Sequence, residues 1–428
     1  MLHNERLKRR EFIVDSLIAT SGALAGCNAS IDPMVTPRPN ILLVIDDQHN
    51  ARAMGWTGDW PVHTPSLDKL ARESVAFTNA YCATPLCAPN RHSLITGLYA
   101  SEHGVFRNDI IMRDGIPTLV EHLNGAGYTT ASIGKMHNAP SHLRRGYQYV
   151  LHHEYFDGPL PISHYAPYLD TMLKQRNLDW PIWWESPNGK PFGTDMSVMA
   201  ATHWLPEDLL PERWTTDQAL VFMADQVANR KDKPFFLHVS YCPPHDPYRP
   251  IEKYASQYKD IDVPLPPSFD RAKADKWCKE ADTGPLSDDE FRRIRTCYSA
   301  FVTQVDDHIG MLLRGVESLG LSGNTLVIFT SDHGDMMGEH GRLRKNILYE
   351  GAERVPLLMR WPGVTTPRVE KSPVSFLDLM PTILRAAGLE PDAHLPGRDL
   401  RKLLGGDDRW PERSVIAESF HFGREFPC

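Results

Sequence analysis

Three stretches of the chain are predominantly apolar and lead into polar residues or a proline-rich turn: N-I-L-L-V-I-D-D-Q from Asn40, P-F-F-L-H-V-S-Y from Pro234 and N-T-L-V-I-F-T-S-D-H-G-D from Asn324. Runs of this kind, too short for buried helices, are the mark of strands covered on both faces of a parallel sheet. T-T-A-S-I-G-K-M-H, from Thr129, reads as a further strand ending in charge. Helical patterns lie between them. Thr64 and Pro65 suit the cap and first position of a helix through Leu67, Leu70 and Ala71. T-L-V-E-H-L-N-G-A-G-Y is a helix stopped by glycine, and another helix is expected from Asp217. Residues 289–318 place Ile294, Tyr298, Phe301, Val305, Ile309 and Leu312 on one helical face. The alternation predicts an α/β fold, a mostly parallel sheet with helices on both faces. In such folds chemistry gathers beyond the carboxyl ends of the strands. Asp46, Asp47, Lys135, His137, His245, Asp332 and His333 all lie just past predicted strands.

Residues 141–214 lack this periodicity. They are rich in proline and hold Trp180, Trp183, Trp184, Trp204 and Trp214, five of the chain's ten tryptophans. Two readings fit: loops carrying an aromatic platform for sugar rings, or a satellite core pinning long loops.

At 428 residues, 41% hydrophobic and 23% charged, the chain can bury a large core. A net charge of −8 argues against a phosphate-backbone binder, so nucleic acid is not expected as a partner. The seven cysteines, at positions 27, 82, 87, 242, 278, 297 and 428, show no C-x-x-C pair or zinc-finger spacing, and nothing selects a disulfide. Residues 1–27 carry Arg9, Arg10 and Phe12, a short apolar stretch, and Leu24, Ala25, Gly26 and Cys27. That order resembles a bacterial twin-arginine export signal ending in a lipobox, too short to span a membrane. It predicts an exported protein, periplasmic or at the cell surface, held to the membrane only by a lipid at Cys27.

Between these elements, C-A-T-P-L-C-A-P-N-R-H-S-L-I-T-G contains Cys87, Pro89 and Arg91 in a C-x-P-x-R core, and the helical S-L-I-T-G-L-Y after it places Cys87 in a first helical turn. There free backbone N–H groups and the helix dipole favour negative charge. Asp46 and Asp47 end one strand, Asp332 and His333 another. Paired carboxylates repel unless something positive sits between them. Two such pairs at equivalent strand ends predict one shared cation, and oxygen-dominated ligation favours calcium or magnesium.

The ordered elements D-D, C-x-P-x-R, G-K-x-H, P-H-x-P and S-D-H-G-D, followed by a later lysine, resemble the type I sulfatases of the alkaline phosphatase superfamily over residues 39–400. The resemblance implies that a formylglycine-generating enzyme oxidises Cys87 to formylglycine, whose hydrated aldehyde is the nucleophile. One hydroxyl of that diol attacks sulfur and expels the alcohol. Deprotonation of the other then ejects sulfate and restores the aldehyde. Calcium would be held by Asp46, Asp47, Asp332, His333 and an oxygen made from Cys87. By the same resemblance Lys135 contacts sulfate and diol, and His137 helps deprotonate the diol. His245 and Lys345 bind sulfate and assist the departing oxygen, while Arg91 pairs with the diol and holds Asp46 and its neighbours in place.

The expected substrate is a sulfated saccharide or a small sulfate ester. The alternatives are a phosphonate or phosphate ester hydrolase of the same superfamily, and a non-catalytic sulfoglycan binder with unmatured Cys87. The catalytic domain is expected over 36–390 and the start of an incomplete C-terminal subdomain over 391–428, a truncated version of the family's small α+β unit. Asn90 departs from the usual serine or alanine.

Overall fold

A computed structural model of the chain describes residues 38–154, 163–178, 200–281, 285–407 and 410–420. The expected export segment with Cys27, three of the tryptophans (Trp180, Trp183 and Trp184) and Cys428 lie outside the described residues.

Among the described residues nine strands form one sheet. They are β1 (Asn40–Asp46), β2 (Val75–Tyr81), β3 (Thr129–Gly134), β4 (Tyr149–His152), β5 (Phe235–Ser240), β6 (Thr325–Ser331), β7 (Arg354–Arg360), β8 (Arg368–Glu370) and β9 (Val374–Ser375). Their order is β4-β3-β5-β1-β6-β7-β2-β8, with β9 also pairing β2. The first five are mutually parallel, as expected. β7 runs antiparallel to both its neighbours. Between β6 and β7 the chain makes only short helical turns, at Glu339–Gly341 and Glu350–Glu353, with no long helix to carry it back for a parallel return.

Six helices frame the site: α1 (Pro65–Arg72), α2 (Cys87–Thr96), α3 (Leu119–Gly125), α4 (Pro211–Asn229), α5 (Asp288–Ser318) and α6 (Leu379–Ala386). β1 shows how the sheet is covered. Ile41, Leu43 and Ile45 pack with Leu94, Leu119 and Ile383, from α2, α3 and α6. Leu42 and Val44 point the other way, onto Leu67, Met223, Val305 and Ile309, from α1, α4 and α5. Strand alternation thus buries both faces, at about 1.5–3 kcal/mol per large aliphatic side chain. The periodicity of residues 289–318 ends against the sheet for the same reason, and α5 opens on a capping box in which Ser287 Oγ accepts from Glu290 N and Glu290 Oε2 accepts from Ser287 N.

The structure departs from expectation in three places. Thr64 precedes α1 but does not cap it: its hydroxyl accepts from Gly55 N and donates to Asp68. The cap comes from α5, where Asp306 accepts from Ser66 N at 3.0 Å and Leu67 N at 2.8 Å. The described parts of 141–214 are also more regular than their proline content suggests, with β4, a helix at Tyr165–Arg176, and α4 beginning six residues before Asp217. The two described tryptophans of that region divide between the two readings. Trp214 is buried in α4 against Tyr165, as in a satellite core, whereas Trp204 is 52% exposed and stacks on His203. Beyond α6 the chain forms a short helix at Arg401–Leu404, and residues 410–420, without regular secondary structure, return to the site loop, where Glu418 N donates to the Ala83 carbonyl.

Candidate active site

β1 and β6 are parallel and in register, with Asp46 opposite Ser331. The next residues, Asp47 and Asp332, therefore leave the sheet side by side, and His333 follows. α2 begins at Cys87, after Leu86 in extended conformation, and ends at Gly97 with φ 70°. A Cβ on Gly97 would stand 2.8 Å from Met380 Sδ of α6, so glycine lets α2 seat closely. This brings Cys87 over the strand ends. One ligand atom from each of Asp47, Cys87, Asp332 and His333 lies within 4.8 Å of the other three, and all four residues are buried.

Charge is balanced around that group. Arg91, one turn along α2, donates from Nε to Asp332 Oδ2 at 2.7 Å and from Nη2 to Asp47 Oδ2 at 3.2 Å. Its Nη1 donates to the Lys135 carbonyl and Ser240 Oγ. Lys135 Nζ lies 2.5 Å from Asp47 Oδ2. Burial alone would raise Asp47, as would Cys87, but Lys135, His245 and Arg91 hold it well below the usual carboxylate range. The Cys87 thiol is likewise pulled well below its ordinary value: burial opposes ionisation, while Lys135, Lys345, His333 and a hydrogen bond with His137 more than offset it. Burial would lower His333, yet Asp332 and Cys87 hold it up at about 9.

These residues fit a divalent cation. His333 Nδ1 donates to the Gly334 carbonyl at 2.9 Å, so that once the other proton is displaced the Nε2 lone pair would face Cys87 Sγ at 3.0 Å, Asp332 Oδ1 at 3.7 Å and Asp47 Oδ1 at 3.9 Å. Asp46 is not in the four-residue group, and it is His49, not Arg91, that secures it: Nδ1 lies 2.5 Å from Asp46 Oδ2. Its other oxygen, Oδ1, is buried with no hydrogen-bond partner. Burial pushes Asp46 above the usual carboxylate range in spite of His49. A buried carboxylate oxygen left without a donor, beside two more carboxylates, is what a hard cation would complete. Sγ of Cys87 stands where an oxygen ligand would be if that residue were oxidised.

The remaining expected residues converge from other strand ends. Gly134, at φ 103°, closes β3 where a Cβ would run into the Ser240 carbonyl, and Lys135 follows it. His137 adopts φ 55°, and its imidazole is among the groups that pull the Cys87 thiol down. Beyond β5, His245 Nδ1 donates to the Asp246 carbonyl, so its Nε2 accepts from Lys345 Nζ at 2.6 Å. Lys345 Nζ also donates to Gln48 Oε1.

Sequence reasoning missed the residues that hold these groups. Gln48, at φ 67°, donates from Nε2 to Asp335 Oδ2 and Asp246 Oδ1. Asp335, last in S-D-H-G-D, accepts from Arg344 N and so anchors the segment carrying Lys345. Asn90 accepts from Ala83 N and donates to the Asp332 carbonyl, tying the loop before Cys87 to the end of β6. Glu154 accepts from the N–H groups of Met136 and His137. Gln48 and Asp335 sit inside motifs already visible, but Glu154 follows the four-residue β4, which has no distinct periodicity.

A family model described as sulfatase matches residues 39–389. An arylsulfatase of Clostridium perfringens is 32% identical over 389 residues, covering 86% of this chain and 78% of its own. An N-acetylglucosamine-6-O-sulfatase of Bacteroides thetaiotaomicron is 26% identical over 473 residues, covering 95% and 77%. Among solved structures, a phosphonate monoester hydrolase of Silicibacter pomeroyi superposes with a TM-score of 0.72 at 26% identity, covering 87% of this chain and 78% of that one.

Proposed function

Since the chain belongs to the sulfatase family, in the alkaline phosphatase superfamily, and is a sulfuric ester hydrolase, we propose that it works with formylglycine made from Cys87 and one bound calcium ion, releasing inorganic sulfate from a sulfated saccharide. The observation that carries this reading is the position of Cys87. It opens a buried helix, keeps the C-x-P-x-R spacing to Arg91, and lies with Asp47, Asp332 and His333 inside one ligand-sized cluster.

Formylglycine at position 87 supplies a geminal diol as nucleophile, and calcium held by Asp46, Asp47, Asp332 and His333 supplies positive charge that makes a hydroxyl more acidic and neutralises a sulfate. The chain's own side chains do the rest. Arg91 holds Asp47 and Asp332 in place through its forked donors. Lys135 and Lys345 give the site two ammonium groups against the sulfate oxygens. Lys345 donates toward His245 Nε2, so this pair can pass a proton to the departing alcohol oxygen. His137, whose imidazole bears on the residue at position 87, is assigned the diol proton when sulfate leaves.

The saccharide preference draws on the relative named for N-acetylglucosamine 6-O-sulfate and on exposed Trp204. Export with a lipid at Cys27 rests on the twin-arginine and lipobox pattern. No helix among the described residues is long and apolar enough to cross a membrane. The second reading, hydrolysis of phosphonate or phosphate esters, is favoured by the structural likeness to the phosphonate monoester hydrolase.

The test is release of sulfate from nitrocatechol sulfate by protein coexpressed with a formylglycine-generating enzyme. Peptide mass across Cys87 should show the aldehyde, and Cys87→Ala should lose about 1,000-fold or more in kcat. Equal turnover by that variant overturns the mechanism. A larger kcat/KM on the matched phosphonate ester moves the reading to the alternative.

A further inference from the structure

We propose that Glu154 is a positioning residue of the reaction, holding the His137 imidazole against position 87 by gripping the backbone on which it stands. The inference rests on the sulfatase reading above for what His137 does, but the contacts are independent of it.

β4 pairs in parallel with β3, Gly134 opposite His152, and His153 N donates to the Gly134 carbonyl. The chain leaving β4 is thereby laid beside the chain leaving β3. Glu154 is only 7% exposed, and one oxygen, Oε1, accepts from Met136 N at 2.8 Å and from His137 N at 2.9 Å. Two successive N–H groups aimed at one acceptor bend the backbone into a tight concave turn. His137 sits in that turn at φ 55°, a left-handed conformation that costs a residue with a Cβ about 1–2 kcal/mol unless something fixes it. A buried carboxyl oxygen receiving both N–H groups is such a fixture, because without it two buried donors would be left unsatisfied. The imidazole that this conformation directs bears on Cys87, whose thiol it helps to pull below its ordinary value. With the acceptor removed, two buried N–H groups lose their partner, the left-handed turn loses its anchor, and the imidazole moves relative to position 87.

Glu154 makes its hydrogen bonds to the backbone of Met136 and His137, so its main effect should travel through His137, and the Gln variant, which removes the charge felt by Lys135 but keeps the acceptor, separates the two. Glu154→Ala is expected to lower kcat by about 100-fold, the scale of a 1 Å misplacement, with KM nearly unchanged. Glu154→Gln keeps an oxygen acceptor at the same reach and should restore activity to within about threefold of the parent. In a His137→Ala background, Glu154→Ala should add almost nothing, since both changes remove the same placed imidazole. Should Glu154→Ala not fold, Glu154→Asp, one methylene shorter, withdraws the acceptor and carries the same test.

A second readout does not need turnover. Amide hydrogen exchange at Met136 and His137 should be slow in the parent and in Glu154→Gln, and faster by about 100-fold in Glu154→Ala. Unchanged kcat in Glu154→Ala, full additivity with His137→Ala, a Gln variant as impaired as the Ala one, or exchange unaffected by the substitution would each overturn the proposal. If the parent hydrolyses no sulfate ester, the function assigned above fails, and the exchange experiment still decides whether Glu154 holds the turn.

Discussion

Nε2 of His333 stands 3.0 Å from Sγ of Cys87, while the opposite ring nitrogen donates to the Gly334 carbonyl. In the neutral ring the backbone bond selects the tautomer and puts the lone pair on the side where Asp47 and Asp332 also present oxygens. Without a cation, the surrounding negative charge keeps the ring protonated up to about pH 9. A bound cation displaces that proton.

Binding of calcium should therefore stabilise the fold and release protons. By linkage, calcium at about 100 times its dissociation constant raises the unfolding free energy by about 2.7 kcal/mol. The thermal midpoint of chelator-treated protein should rise on adding calcium, and His333→Ala should shrink that rise. A midpoint indifferent to both chelator and calcium contradicts the assigned site.

Arg91 bridges Asp47 and Asp332 while almost fully buried. Arg91→Met leaves two buried carboxylates without their shared guanidinium, which should cost about 3–5 kcal/mol in urea unfolding. Arg91→Lys should recover only part of this, because one ammonium cannot present the forked donors that reach both carboxylates at once. Unfolding midpoints for both variants equal to the parent's would show that the bridge does not support the fold.

Asp306 couples stability to pH. Burial lifts it from 3.8 to about 7, outweighing the hydrogen bonds from Leu67 and Ser66. The folded chain thus holds this proton more tightly than the unfolded one, so its contribution is complete below about pH 4 and lost as pH rises to 7. At about 1.4 kcal/mol per pKa unit, the loss amounts to a few kcal/mol. Asp306→Asn should flatten the stability profile across that window, as read from urea midpoints at stepped pH. A parent profile flat from pH 4 to 7 would refute the assignment.

Much of the site was legible because strand ends announce themselves. An unbroken apolar run followed by acids predicts both a buried strand and a polar tip, and parallel register then places Asp47 beside Asp332 with no further information. Cys87, Arg91, Lys135, His137, His245 and Lys345 came from motif spacing, and the fold gathers all of them around the same strand ends. Asp46 was harder to read. Its sequence neighbour Asp47 shares its chemistry, and only side-chain geometry shows that His49 engages one of its oxygens. Thr64 was misread because local sequence cannot reveal a cap arriving from α5, far along the chain. Gln48, Asn90, Asp335 and Glu154 mainly hold backbone in place, and their partners are set by tertiary contacts rather than by spacing.

Every residue of α2 from Cys87 to Thr96 is buried, and Cys87 itself is 1% exposed. Any tailoring of that thiol by another protein consequently has a deadline: it must be finished while the polypeptide is still open, before the strand ends close over it. If Cys87 is matured as proposed, a batch purified with its thiol intact should not be repaired by late exposure to the tailoring enzyme unless it is first unfolded, and the active fraction of a preparation would be settled during synthesis.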